Sequence, residues 1–128
     1  MHEYSVVAEL VSALLPRLEE HPGDVTTVFL KRGELRILSD WALKNAFEIV
    51  TEGTRLEGAS LEIEVIPVRV ACDNCGYEGS VEYLKDEAFH FVIPILTCPH
   101  CGEEVRIVSG RELAVERVSI RTPSDAGV

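Results

Sequence analysis

In LEIEVIPVRVACDNCG, residues 61–76, a strand pattern runs directly into a pair of cysteines. Its first five residues alternate strictly, Leu61, Ile63 and Val65 against Glu62 and Glu64, which predicts a strand with one buried and one wet side. Beyond Pro67 the apolar phase shifts to Val68 and Val70, the mark of a bulge or an edge position. Cys72 and Cys75 then stand two residues apart, and the pattern returns as CPHCG at 98–102, a C-x2-C-x22-C-x2-C spacing. Two cysteines so spaced turn both thiolates toward one ion, and the glycine after each second cysteine permits the positive φ of a tight metal-binding knuckle.

Cys72, Cys75, Cys98 and Cys101 thus predict a closed tetrahedral sulfur shell for structural Zn(II), a redox-inert ion that such a shell leaves without an open position. Iron is the rival, because paired CPxCG knuckles also build rubredoxin-like electron-transfer sites and sulfur tetrahedra suit both metals. A thioredoxin-like dithiol needs only one pair and leaves the other without a role. Residues 72–105 hold too little apolar material for a core of their own, so this segment needs a metal staple. His100 inside the second knuckle reads as a solvated loop residue and His90, in FHFVIP, as a strand residue among phenylalanines.

Upstream, Tyr4, Val7, Ala8, Val11, Leu14, Leu15 and Leu18 recur at spacings of three and four, predicting a helix over about 4–20 that Pro16 kinks or stops early. HPGD at 21–24 is a turn, and the β-branched run after it predicts a strand over about 25–34. Ser39 or Asp40 caps a second helix with Leu43, Ala46, Phe47 and Val50 on its apolar face and Trp41 anchoring its first turn. ELAVERVSI, at 112–120, predicts a late strand. The fold expected is α/β in the α+β sense: a small mixed sheet of about three strands with two helices, and a zinc-ribbon module inserted before the last strand. The domains expected are 1–70 plus 107–122, a discontinuous α/β domain; 71–106, the zinc ribbon; and 123–128, a flexible tail.

The chain has 128 residues and a formal net charge of -10, which repels a phosphate backbone and an anionic membrane surface alike, so neither nucleic acid nor membrane is an expected partner. No apolar run of about 18 residues is present and the N-terminus carries an acidic residue where a secretory signal carries a basic one, which predicts a cytoplasmic protein. In that reducing compartment paired cysteines are metal ligands or redox centres more often than disulfides. No glycine-rich nucleotide loop is present.

The chain opens MHEYS. A large second residue leaves the initiator methionine in place, so the Met1 amine, the His2 and Glu3 amides and the His2 imidazole form a run of four nitrogens able to approach a square plane. Ni(II) and Cu(II) favour that geometry. Taken alone, a histidine at position 2 is an ordinary feature of an exposed terminus.

MHEYS (1–5), GEL (33–35), AFEIVTEGT (46–54), LEGASLEIEVIPV (56–68), the two CxxCG knuckles and VSGREL (108–113), in this order over nearly the whole chain, closely resemble the HypA family of nickel-incorporation proteins. The resemblance implies a non-enzymatic metallochaperone that hands nickel to the large subunit of [NiFe]-hydrogenase, in some organisms also toward urease maturation proteins, working with the GTPase HypB. It implies Ni(II) as cargo on Met1, His2 and Glu3, with His90 a further candidate contact, and structural Zn(II) on the four cysteines. A rubredoxin-like iron protein and a zinc-ribbon adaptor that never binds nickel are the alternatives.

Overall fold

The computed structural model describes residues 2–86 and 91–122; the expected tail and His90 lie outside them. The chain divides into two compact units. One comprises Met1–Lys31, Ile37–Glu64 and Ala114–Val128; the other Arg32–Arg36 and Val65–Leu113.

The first unit carries helix α1 (His2–Arg17), a 3-10 turn (Leu18–Glu20), helix α2 (Asp40–Val50) and most of strands β1 (Asp24–Gly33), β2 (Ser60–Ile66) and the late strand β8 (Leu113–Arg121), which are ordered β2-β1-β8 and whose residues 32–33, 65–66 and 113 fall in the second unit. α1 follows its apolar stripe through Pro16, which has no amide to donate to the carbonyl four residues back, and gives way to the 3-10 turn at Leu18. Val7, Val11 and Leu18 of this helical segment, Val25, Val28 and Leu30 of β1, Leu43, Ala46 and Phe47 of α2, Leu56, and Leu61 of β2 are buried. Each of these valine, leucine and phenylalanine side chains contributes about 1.5–3 kcal/mol on leaving water. The end of α1 is clasped by Arg55, whose guanidinium donates to the carbonyls of Leu18, His21 and Gly23. Thr51 is buried without penalty because its hydroxyl donates to the Phe47 carbonyl at 2.6 Å.

Ser39 caps α2, its hydroxyl accepting from the Ala42 amide at 3.2 Å. Trp41 does not anchor the first turn. It is 76% exposed, because Leu43, Ala46 and Phe47 already occupy the buried stripe and position 41 falls outside it. Val65 is likewise 43% exposed, so the wet and dry alternation of β2 holds at Leu61 and fails at its far end.

The second unit holds a three-stranded sheet ordered β4-β3-β7, from β3 (Arg69–Ala71), β4 (Glu78–Ser80) and β7 (Arg106–Ser109), and a two-stranded ribbon of β5 (Tyr83–Asp86) and β6 (Phe91–Pro94). β3 pairs antiparallel with both neighbours, and its register against β7 shifts between Arg69 and Val70. The phase change after Pro67 is therefore a bulge in a central strand, not an edge. Val68, Val70 and Val81 form the core, with Leu35, Tyr77, Tyr83 and Val105 packed on it.

This unit is wider than the 71–106 drawn from sequence, for a reason of apolar supply. Val68, Val70 and Leu35, which the cysteine segment lacks, complete its core. Arg32–Arg36 are tied in by backbone bonds from Gly33 to Glu112, Glu34 to Ile66 and Leu35 to Gly110. A Cβ at Gly33 would collide with the Gly110 carbonyl. The Glu34 carboxylate accepts from the Val68 amide at 3.2 Å and the Tyr83 hydroxyl at 2.6 Å. Among the described residues no helix is long and apolar enough to cross a membrane.

Candidate metal centre

β3 delivers Cys72 into the first knuckle, and β7 leaves from the second. The two knuckles are built alike. The Gly76 amide donates to the Cys72 carbonyl and the Gly102 amide to the Cys98 carbonyl, both at 2.9 Å; the Cys72 and Cys98 amides donate to Tyr77 and Glu103 at 2.7 and 2.8 Å. Gly76 and Gly102 close these turns at φ 81° and 80°, a region that costs an L side chain. A bridge between Thr97 and Glu104 closes the base of the second.

The four sulfurs all lie within 4.8 Å of one another, with Cys72 to Cys101 and Cys75 to Cys98 each at 3.6 Å. A Zn–S bond of about 2.3 Å spaces the sulfurs of a regular tetrahedron about 3.8 Å apart, whereas a disulfide needs about 2.05 Å. The spacing fits a four-thiolate metal shell. Cys72 and Cys98 are buried, and Cys75 and Cys101 exposed. Of the described residues only these four converge closely enough to hold an ion. His100 is outside the group: it is exposed, with its ring 4.5 Å from that of Tyr77.

Donors are aimed at the sulfurs. The Asn74 side chain reaches Cys101 Sγ at 3.5 Å, and the His100 and Cys101 amides reach Cys98 Sγ at 3.4 and 3.5 Å. The Asn74 amide, followed by the Glu103 backbone amide, brings the Cys101 thiol down to about 6. Burial works against ionising Cys98, yet the Cys101 and His100 amides hold it below the ordinary thiol value. Cys75 goes the other way: the Tyr77 amide favours its thiolate, but the Cys98 thiol, burial and the other two thiols push it up to about 12. Four crowded sulfurs cannot all carry negative charge without a cation among them, so a divalent ion supplies the missing term and displaces the remaining protons. Arg106 and Asp73, 3.3 Å apart, tie β7 to the first knuckle. The spacing of the cysteines foretold their convergence; nothing in CDNCG marked Asn74 as the donor facing the opposite knuckle.

Of the residues expected at a nickel site, Met1 and His90 lie outside the described residues. His2 is the first residue of α1, and Glu3 the second, its carboxylate accepting from the Ser39 amide at the start of α2 at 2.9 Å.

A two-helix α+β unit interleaved in sequence with a four-thiol zinc-ribbon unit defines a small metal-handling protein. The sequence model described as "Hydrogenase/urease nickel incorporation, metallochaperone, hypA" matches residues 1–120. The hydrogenase maturation factor HypA of Methanothermobacter thermautotrophicus is 37% identical over 122 residues, covering 94% of this chain and 97% of that protein. Its counterpart in Ignicoccus hospitalis is 37% identical over 130 residues, covering 91% and 94%. The solution structure of the nickel metallochaperone HypA from Helicobacter pylori shares the fold, with a TM-score of 0.61, 20% identity, and coverage of 94% and 97%. The chain belongs to the HypA family of nickel-incorporation metallochaperones.

Proposed function

We propose that this protein binds Ni(II) at its N-terminus and delivers it to the large subunit of a [NiFe]-hydrogenase, with Zn(II) as the resident ion of the four-cysteine shell. The nickel ligands are the Met1 amine, the His2 amide and imidazole and the Glu3 amide, and His90 is a further contact. The protein acts in the cytoplasm with the GTPase HypB, catalyses no covalent step of its own, and serves urease maturation where that enzyme is present.

The observation that carries the reading is that α1 begins at His2. The first amides of a helix have no intrahelical acceptor, so those of His2 and Glu3 are not held in the ladder. Helical ψ, about -42°, already brings successive nitrogens toward the same side of the chain, a modest rotation from a planar chelate. The Glu3 carboxylate is engaged with Ser39, which supports the amide and not the side chain as its donor. Binding displaces protons, so nickel affinity falls as pH drops through the imidazole range near about 6.5. A site at a chain end is open to an acceptor's ligands, and the ion passes by ligand exchange.

Calorimetric titration of untagged, zinc-loaded protein with nickel tests the reading. His2→Ala, or residues fused ahead of Met1, should abolish tight binding while zinc content and the circular dichroism of the helices stay unchanged; undiminished affinity in either form overturns it. Elemental analysis finding iron in place of zinc, with visible thiolate-to-iron absorption, would overturn the assignment of the cysteine shell.

A further inference from the structure

β2 ends the β2-β1-β8 sheet, and among the described residues no strand pairs with its outer side. An unpaired edge of this kind offers a row of backbone donors and acceptors to an incoming chain. Beside it opens a cleft of about 530 Å³, lined by Phe47 and Leu61, which are buried, and by Lys44, Glu48, Glu57 and Glu62, which are exposed. Glu57 uses one oxygen on the Gly53 amide at 2.8 Å. No ion pair engages Glu48, Glu62 or the neighbouring Glu64 among the described residues. These carboxylates do not converge on a point where an ion would sit, since among the described residues only the cysteines do so.

We infer that the β2 edge and its cleft take up an extended, arginine- or lysine-bearing segment of a partner protein as an added strand. Three properties select that occupant. The strand edge supplies main-chain pairing, which favours an extended chain over a helix. The cleft joins an apolar floor to a carboxylate rim, the complement of a long basic side chain whose stem is apolar and whose head is cationic. The rim carries three carboxylates against Lys44 alone, so an acidic segment is repelled. The cleft and the edge from Ser60 to Glu64 belong to the first unit and require no metal, so the test is independent of the nickel reading.

The probe is a capped hexapeptide alternating arginine and valine, titrated into isotope-labelled, zinc-loaded full-length protein and followed by amide shifts and hydrogen exchange. The expected result is shifts at residues 44–48 and 57–64 with slowed exchange along β2, weakening with salt. Glu48→Gln with Glu62→Gln should weaken the peptide about five- to tenfold without changing the fold, both positions being exposed. A matched peptide alternating glutamate and valine should produce no shifts. The inference is overturned if the arginine peptide does not bind, if the two peptides bind equally, if the shifts fall on another surface, or if the double variant binds as tightly as the parent. In the first of these cases the glutamates serve only to keep the edge unpaired.

Discussion

A methyl group added at Gly33 and one added at Gly102 meet different obstacles. At Gly102 nothing lies within 4 Å, and only φ, at 80°, opposes the change. Gly102→Ala should therefore cost roughly 1 kcal/mol in chemical denaturation of the metal-loaded protein. At Gly33 the new carbon runs into the Gly110 carbonyl, so Gly33→Ala should cost about 1–3 kcal/mol and loosen the segment that carries Leu35 into the second core. Tyr83 gives a pH signature to the same segment. Its hydrogen bond to the Glu34 carboxylate, with burial and the carboxylate charge adding to it, pushes the phenol up to about 12. The folded value is raised, so the protonated phenol stabilises the fold fully below pH about 10 and that contribution is lost as pH rises from about 10 to 12. Spectrophotometric titration, taken as the difference between the protein and Tyr83→Phe, should show the late phenolate, and Glu34→Ala should bring it down.

At the scale of elements, α2 is held at its start by a cap and along its length by packing, and the two are separable by measurement. Ser39→Ala removes the acceptor for the Ala42 amide and should cost about 1 kcal/mol. Leu43→Ala opens a cavity at a fully buried position and should cost about 2–5 kcal/mol. Both are read as shifts in the denaturation midpoint of the first unit. Because the Ser39 backbone amide, not its hydroxyl, donates to Glu3, Ser39→Ala should leave nickel affinity near that of the parent.

At the scale of the whole molecule, the composition of the second unit sets what metal removal does. A unit whose core is Val68, Val70 and Val81 with a few partly buried neighbours is too small to hold without its staple. Stripping the metal with a chelator should abolish amide protection over 65–86, 91–113 and also over Arg32–Arg36, while α1, α2 and strand residues 24–31, 60–64 and 114–121 stay protected. Had the unit been the 71–106 segment alone, residues 32–36 would keep their protection. Much was legible along the chain: both helices, the Ser39 cap, the long strands, the thiol shell and the α+β class follow from periodicity and spacing, which are local and survive without neighbours. Tertiary structure alone decided that GEL belongs with the cysteines, that Trp41 faces water, and that Asn74 faces Cys101, since each depends on contact between residues far apart in sequence or on which face other elements have already filled. Periodicity says that a side chain is apolar or a turn is tight; only the folded chain says which distant carbonyl, core or sulfur it meets.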